Sequence, residues 1–218
     1  MKLTDSPRRP IVRRALVGLA AAALVVSACG SSADSVSTEG SSDGDAAQGV
    51  QQNGPITIEG EVLDPFESSL EDLAVGQTAP VISGEGFDGT PITVGGPTEN
   101  TTLVVFLAHW CPHCNDEIPE LIALEEAGDL PEGLDVIGVS TAVDETRENY
   151  PPSEWVVTKG WPWSMMVDDE ELTAIKAHGG TSFPFAVLLD ADGVVLARRA
   201  GSATAAETKA FLDAALAG

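Results

Sequence analysis

The sequence predicts an α/β domain built on a mixed central sheet with helices on both faces and an added N-terminal β-hairpin. Three observations carry that prediction. Residues 103–108 and 134–140 are almost continuously apolar, as strands covered on both faces are. Segments of helical and strand period alternate through and beyond them. The chain then closes on two strands joined by Asp190-Ala191-Asp192-Gly193 and a last helical segment, which adds antiparallel neighbours to the sheet.

The chain opens on a leader. Lys2, Arg8, Arg9, Arg13 and Arg14 precede an apolar run over residues 15–26. A dozen residues is too short to span a bilayer but suits a signal-peptide core, so residues 1–28 are read as a signal peptide. The run ends in Val26-Ser27-Ala28-Cys29, which resembles a bacterial lipobox. That resemblance implies lipidation of Cys29 and a domain tethered to the extracytoplasmic face of the cell membrane. The other reading is ordinary secretory cleavage nearby, with Cys29 left as an incidental thiol. An exposed unpaired thiol is a liability in an oxidising compartment, which favours lipidation. Residues 29–55 are Ser, Gly, Asp, Glu and Gln with few large apolar side chains, and read as a flexible acidic linker reaching roughly 25–30 Å. The folded domain is placed at residues 56–218.

Within it, residues 56–62 alternate apolar and polar side chains and read as a peripheral strand, and residues 70–75 as a helical turn. Val81-Ile82 and Ile92-Thr93-Val94 flank an Asp88-Gly89 turn, a hairpin signal. The strand at 103–108 leads into a helix that runs to about Ala127, with Ile118, Leu121, Ile122 and Leu124 at helical spacing. Pro119 inside it removes a backbone N–H and is expected to kink it. After the strand at 134–140 comes a helix from Pro152 or Ser153, with Ser153 as cap, then a short strand at 164–167 and a helix at 170–177. Strands at 185–189 and 194–198 precede a terminal helix whose Thr204 and Glu207 have capping-box spacing.

The formal charge of the 218 residues is −23. Five basic residues and one acid, Asp5, fall before Cys29, so the remainder holds six basic against 33 acidic residues, a net charge of −27. Such a polyanion is repelled by phosphate backbones and argues against a nucleic-acid partner.

The chemistry sits in Trp110-Cys111-Pro112-His113-Cys114, after an apolar strand and before a helix. Cys111 falls where free N–H groups and the positive end of the helix dipole favour a thiolate, which makes it the attacking thiol. Cys114, one turn on and deeper, is the resolving thiol. Pro112 has no N–H to leave unsatisfied at the first turn. His113 adds a polarisable or cationic group beside the sulfur. No cofactor or metal is called for by this reading.

With Pro119 eight residues beyond Cys111, the motif resembles a thioredoxin-fold active site. Gly76-Gln77-Thr78-Ala79-Pro80, the hairpin, Glu117-Ile118-Pro119 and Leu188-Leu189-Asp190-Ala191-Asp192-Gly193 narrow the resemblance. Over about residues 75–218 the chain is similar to the bacterial membrane-anchored thiol–disulfide oxidoreductases of the TlpA/ResA type, in the redoxin family. The resemblance implies exchange of disulfides with secreted or membrane protein clients and a membrane redox partner for recycling. It implies that Phe183-Pro184 is the cis-proline loop lying against the dithiol, and that Glu117 handles the cysteine protons. Glu117 as a solvated helix residue and Phe183 as a core aromatic are the plainer readings. The reductase role common to that branch pulls against the Pro112-His113 pair, which resembles that of the oxidase DsbA. Val105 departs from the pattern: thioredoxins carry a buried acid six residues before the first cysteine, and here the side chain is aliphatic.

A copper- or zinc-handling lipoprotein using His109, Cys111, His113 and Cys114 is the competing reading. A zinc site would call for a second Cys/His pair elsewhere, and His178 stands alone, as a helix C-terminal residue beside Gly179. Covalent haem attachment would call for His after Cys114, where Asn115 stands.

Overall fold

The computed structural model describes residues 50–69 and 71–217. The leader, the lipobox with Cys29 and most of the expected linker lie outside the described residues. In chain order the strands are β1 (Thr57–Glu59), β2 (Val81–Gly86), β3 (Pro91–Val94), β4 (Thr101–Leu107), β5 (Leu134–Ser140), β6 (Ser164–Val167), β7 (Phe185–Leu189) and β8 (Val195–Ala200). The helices are α1 (Pro112–Ala127), α2 (Pro152–Lys159), α3 (Thr173–Ala177) and α4 (Ala205–Leu216). One mixed sheet runs β1-β2-β6-β5-β4-β7-β8, with β3 hydrogen-bonded to β2 as the expected hairpin. β4 lies at its centre, parallel to β5 and antiparallel to β7.

The period of two in β4 divides the core. Val104 and Phe106 face a cluster with Ile82, Met166, Ile175, Phe185 and Val187. Leu103, Val105 and Leu107 face the other way, against Ile118 and Leu121 of α1, Trp155 of α2 and Leu212 of α4. The first turn of α1 is therefore seated on the odd-numbered face of β4, and the dithiol goes with it.

The folded part begins earlier than residue 56. The Gln51 side chain donates to the Gly86 carbonyl at 2.8 Å and Gly54 N–H to the Asp168 carbonyl at 3.3 Å. Gln52 also corrects the expected cap of α2. Pro151 is the N-cap with no side-chain cap bond, and Pro152 is N1. Gln52 Oε1 accepts the Ser153 N–H at 3.0 Å while its Nε2 donates to Ser153 Oγ at 2.9 Å. A polar composition read as linker thus supplies a helix-end partner from far away in sequence.

Other elements differ in their ends. Residues 71–76 form turns rather than a helical turn. α3 starts at Thr173 because Leu172 has φ 61°, and the Asp168 and Asp169 carboxylates accept the Ala174 and Thr173 N–H groups. α1 runs unbroken through Pro119. The Asn115 carbonyl, which Pro119 cannot reach with an N–H, accepts from Lys159 Nζ at 3.3 Å instead. The Thr204–Glu207 capping box of α4 is present.

Two polar groups tie the sheet face opposite α1. Arg198 on β8, almost fully buried, makes a bidentate pair with Asp72 (Nε to Oδ2 2.9 Å, Nη2 to Oδ1 2.5 Å) and donates from Nη1 to the Asp64 and His178 carbonyls. Burial raises Asp72, but the bonds from Arg198 and the Ala74 N–H outweigh it and hold the carboxyl below its usual range. Gly179, with φ 76°, lets this knot close: a Cβ there would collide with both Arg198 Nη1 and the Asp64 carbonyl.

His178 caps α3 with its ring fully buried against Phe106. Burial pushes its imidazolium down to about 4. The unfolded chain protonates near 6.5, so between pH 6.5 and 4 it binds a proton that the native state does not. The stabilisation is complete above pH 6.5, is lost as the pH falls toward 4, and amounts to about 3 kcal/mol. Urea unfolding at pH 7 and pH 4.5 should show that fall, and His178→Phe should flatten it. An equal fall in the variant would contradict the assignment.

Candidate active site

β4 delivers the chain to the site. Ala108 follows the strand and is buried, and its two backbone groups organise both cysteines: its carbonyl accepts the Cys111 N–H at 3.0 Å and its N–H donates to Cys114 Sγ at 3.4 Å. Cys111 is the N-cap of α1 in extended conformation, Pro112 is N1, and no acidic side chain stands in the first turn. Both cysteines are free thiols and buried, Cys114 completely so. Burial in apolar surroundings pushes the Cys114 thiol well above its usual range. The Ala108 N–H opposes that, and Cys111 and then the charge of Glu117 add to it.

The Phe183–Pro184 bond is cis, and the Phe183 carbonyl oxygen lies 3.7 Å from Cys111 Sγ. The Phe183 ring stands edge-on to Trp110 at 6.0 Å. Phe183 packs at the margin of both core clusters, so it is half-buried lining rather than plain core. Pro112 and His113 are exposed beside the sulfur.

Glu117 is not a solvated helix residue. It is fully buried, with Oε1 2.5 Å from Arg199 Nη2 and Oε2 accepting the Ala203 N–H at 2.7 Å. Val105 is buried among Cys111, Cys114 and Ile118, so the acid missing from β4 leaves an apolar floor. Glu117 is the buried carboxylate on this side of the sheet among the described residues.

His109 serves the scaffold. Its ring is buried, with Nδ1 2.7 Å from the Glu148 carbonyl and Nε2 accepting the Asp144 N–H at 3.2 Å. One nitrogen donates and the other accepts, which is the neutral ring, and burial lowers its tendency to protonate. Its carbonyl accepts from Asn115 and Asn149, and Trp110 Nε1 donates to the Ala142 carbonyl at 2.7 Å. These bonds fasten the loop 141–151 beside the dithiol, and Arg147 lies 4.2 Å above the Trp110 ring. Asn115 joins the assembly to α2 by accepting from Trp155 Nε1 at 3.0 Å. Arg199, Asn115 and this loop were not singled out from sequence. His109 and Asn115 meet each other locally, but the partners that tie them to the loop and to α2, namely Asp144, Glu148, Asn149 and Trp155, are distant in sequence and leave no local signal.

The donor geometry does not favour the metal-handling reading. Both His109 ring nitrogens are engaged, and His178 lies in the cluster on the opposite face of β4 from the cysteines. Among the described residues no group of three or more His, Cys, Asp or Glu side chains converges as a metal site.

A family model described as Redoxin matches residues 74–216. No curated protein matches the chain. Among solved structures, a thiol:disulfide interchange protein of the thioredoxin family from Chlorobium tepidum TLS is 26% identical, with a TM-score of 0.51, over 64% of this chain and 95% of that one. A thiol:disulfide interchange protein from Bacteroides sp. shares the fold at 21% identity and a TM-score of 0.51, over 67% of this chain and 92% of its own.

Proposed function

The chain belongs to the Redoxin family, and on that premise we propose that it reduces disulfides in protein clients through Cys111 and Cys114. It is a thiol–disulfide oxidoreductase with the thioredoxin fold. The observation that carries the residue assignment is the placement of Cys111 at the start of α1 and under the Phe183 carbonyl, with Cys114 behind it.

In the first step the Cys111 thiolate attacks a client disulfide. A Cys111–client S–S bond forms and the other client sulfur leaves as a thiolate. Cys114 then loses its proton and attacks Cys111 Sγ. The intramolecular disulfide forms, the second client sulfur is released, and two electrons have passed to the client. Cis-Pro184 and Phe183 hold the client beside the sulfur, and Pro112 and His113 border the entry. Reduction is the direction common to the TlpA/ResA branch that the chain resembles, and the oxidant-like Pro112-His113 pair pulls against it.

The extracytoplasmic setting rests on the leader and lipobox. Cys29 would carry the lipid, the acidic stretch that follows it would form the tether, and a membrane redox partner would return the dithiol to its reduced form. No helix among the described residues is long and apolar enough to cross a membrane.

Titration of the dithiol against glutathione buffers tests the direction. A potential below about −220 mV is the expected result, and one near −120 mV would make the protein an oxidant. Stoichiometric copper or zinc binding with no exchange would restore the metal-handling alternative.

A further inference from the structure

The sheet register places Arg199 in a row that runs beneath α1. Val105 on β4 pairs with Ala186 on β7, and Ala186 pairs with Arg199 on β8. Val105 and Ala186 both belong to the cluster that holds the cysteines, so Arg199 is directed to the same face. There it meets Glu117, which follows Cys114 by one helical turn. The two oxygens of Glu117 both act as acceptors, one from the guanidinium and one from the Ala203 N–H, which is the pattern of a carboxylate rather than a carboxylic acid. Arg199 has few competing partners. Its Nε and Nη1 are buried without a hydrogen-bond acceptor, and the ring of Phe211 lies 5.5 Å from its Cζ. A guanidinium that leaves two donor nitrogens unsatisfied and keeps this one pair is poorly explained by stability alone.

We propose that Arg199 is a positioning residue for the resolving step, holding Glu117 as a buried carboxylate beside Cys114 to receive the proton that Cys114 sheds. Cys114 S–H transfers its proton to Glu117, Cys114 sulfur attacks Cys111 Sγ of the mixed disulfide, the Cys111–Cys114 bond forms, and the client thiolate leaves. Glu117 then passes the proton on and is a carboxylate again. Without Arg199, the carboxylate loses the guanidinium that compensates its charge in that buried site and is no longer held in place as a base. The pair also explains how a fold with Val105 on its floor provides a proton acceptor for a thiol that burial keeps protonated. The other charged groups around this corner are engaged elsewhere. Glu120 accepts the Ala205 N–H at 2.6 Å, and Glu207 is bound in the α4 cap while lying close enough to Arg199 to feel its charge.

This inference rests on the exchange reaction proposed above, and its test separates the two. Reduced protein is mixed with oxidised glutathione and quenched in acid at intervals. Mass spectrometry then follows the Cys111–glutathione adduct and its conversion to the intramolecular disulfide. Arg199→Gln, which keeps a donor but removes the charge, should form the adduct at the wild-type rate, resolve it at least tenfold more slowly at pH 7, and shift the pH profile of resolution upward. Arg199→Lys should recover most of the rate. Adding Arg199→Gln to Glu117→Gln should cost nothing further, because the arginine acts through the carboxylate. Unchanged resolution in Arg199→Gln overturns the proposal, and so does an equal slowing in the Glu117→Gln background. If Arg199→Gln does not fold, Glu117→Gln and the double variant, in which the buried charge is gone, decide: both should resolve the adduct at least tenfold more slowly than the wild type and at the same rate as each other, and wild-type resolution in Glu117→Gln or a further slowing in the double variant overturns the proposal. Absence of any adduct in the wild type would instead overturn the exchange reaction.

Discussion

Replacing Cys111 with serine is expected to reduce disulfide exchange by roughly three orders of magnitude or more, because a serine hydroxyl does not ionise near neutral pH and cannot form the mixed disulfide. Cys114→Ser is expected to behave differently. Cys114 is completely buried and is held by the Ala108 N–H, so it is out of reach of a client while Cys111 lies at the helix start beside the Phe183 carbonyl. The variant should make the first attack and then stall as a Cys111 adduct. The asymmetry between the two serines separates an attacking from a resolving thiol. Equal loss at both steps would mean that the two sulfurs act as one unit, as metal ligands would.

Arg198→Met is expected to destabilise the domain by about 3–5 kcal/mol, the cost of leaving a buried partner charge unpaired. For a domain of this size that lowers the melting temperature by roughly 10 °C or more. The cost is high because three acceptors depend on one guanidinium: the Asp72 carboxylate and the Asp64 and His178 carbonyls. Asp72→Leu added to Arg198→Met should recover part of the loss, since the orphaned charge is then removed. Thermal unfolding by circular dichroism reads both. A change below about 1 kcal/mol in Arg198→Met would mean that water replaces the pair, as at an exposed site.

The strand periods were legible because each strand buries the residues its pattern exposes to the core. β4, β5 and β7 lie where continuous apolar runs place them, and the Thr204–Glu207 box caps α4 as its spacing implies. The cis bond before Pro184 agrees with the family resemblance, which carried that expectation, and Cys111 stands at the start of α1 where the strand-turn-helix pattern puts it. What was not legible depends on partners distant in sequence. Gln52 looks like linker until its amide is found against the first turn of α2. Lys159 looks like a surface lysine until Pro119 leaves the Asn115 carbonyl without an N–H.

The site divides the same way. Its thiols announce themselves by spacing, whereas the polar groups behind them do not. Glu117 reads equally well as solvated or functional, and only the fold reveals that it is buried against β8. The available signal was the dipeptide Arg198-Arg199. Six basic residues remain after the leader, and two of them fall side by side in a strand flanked by alanines. Alternation sends one to each face, and each meets a carboxylate there: Asp72 on one side, Glu117 on the other.

Peptide mapping of the adduct that Cys114→Ser forms with oxidised glutathione separates Cys111 as the attacking thiol from Cys114 as the resolving one. A single glutathione on Cys111, formed at the wild-type rate and stable to the end of the reaction, is the expected result. No adduct at Cys111, or an adduct that resolves in the absence of Cys114, would contradict it.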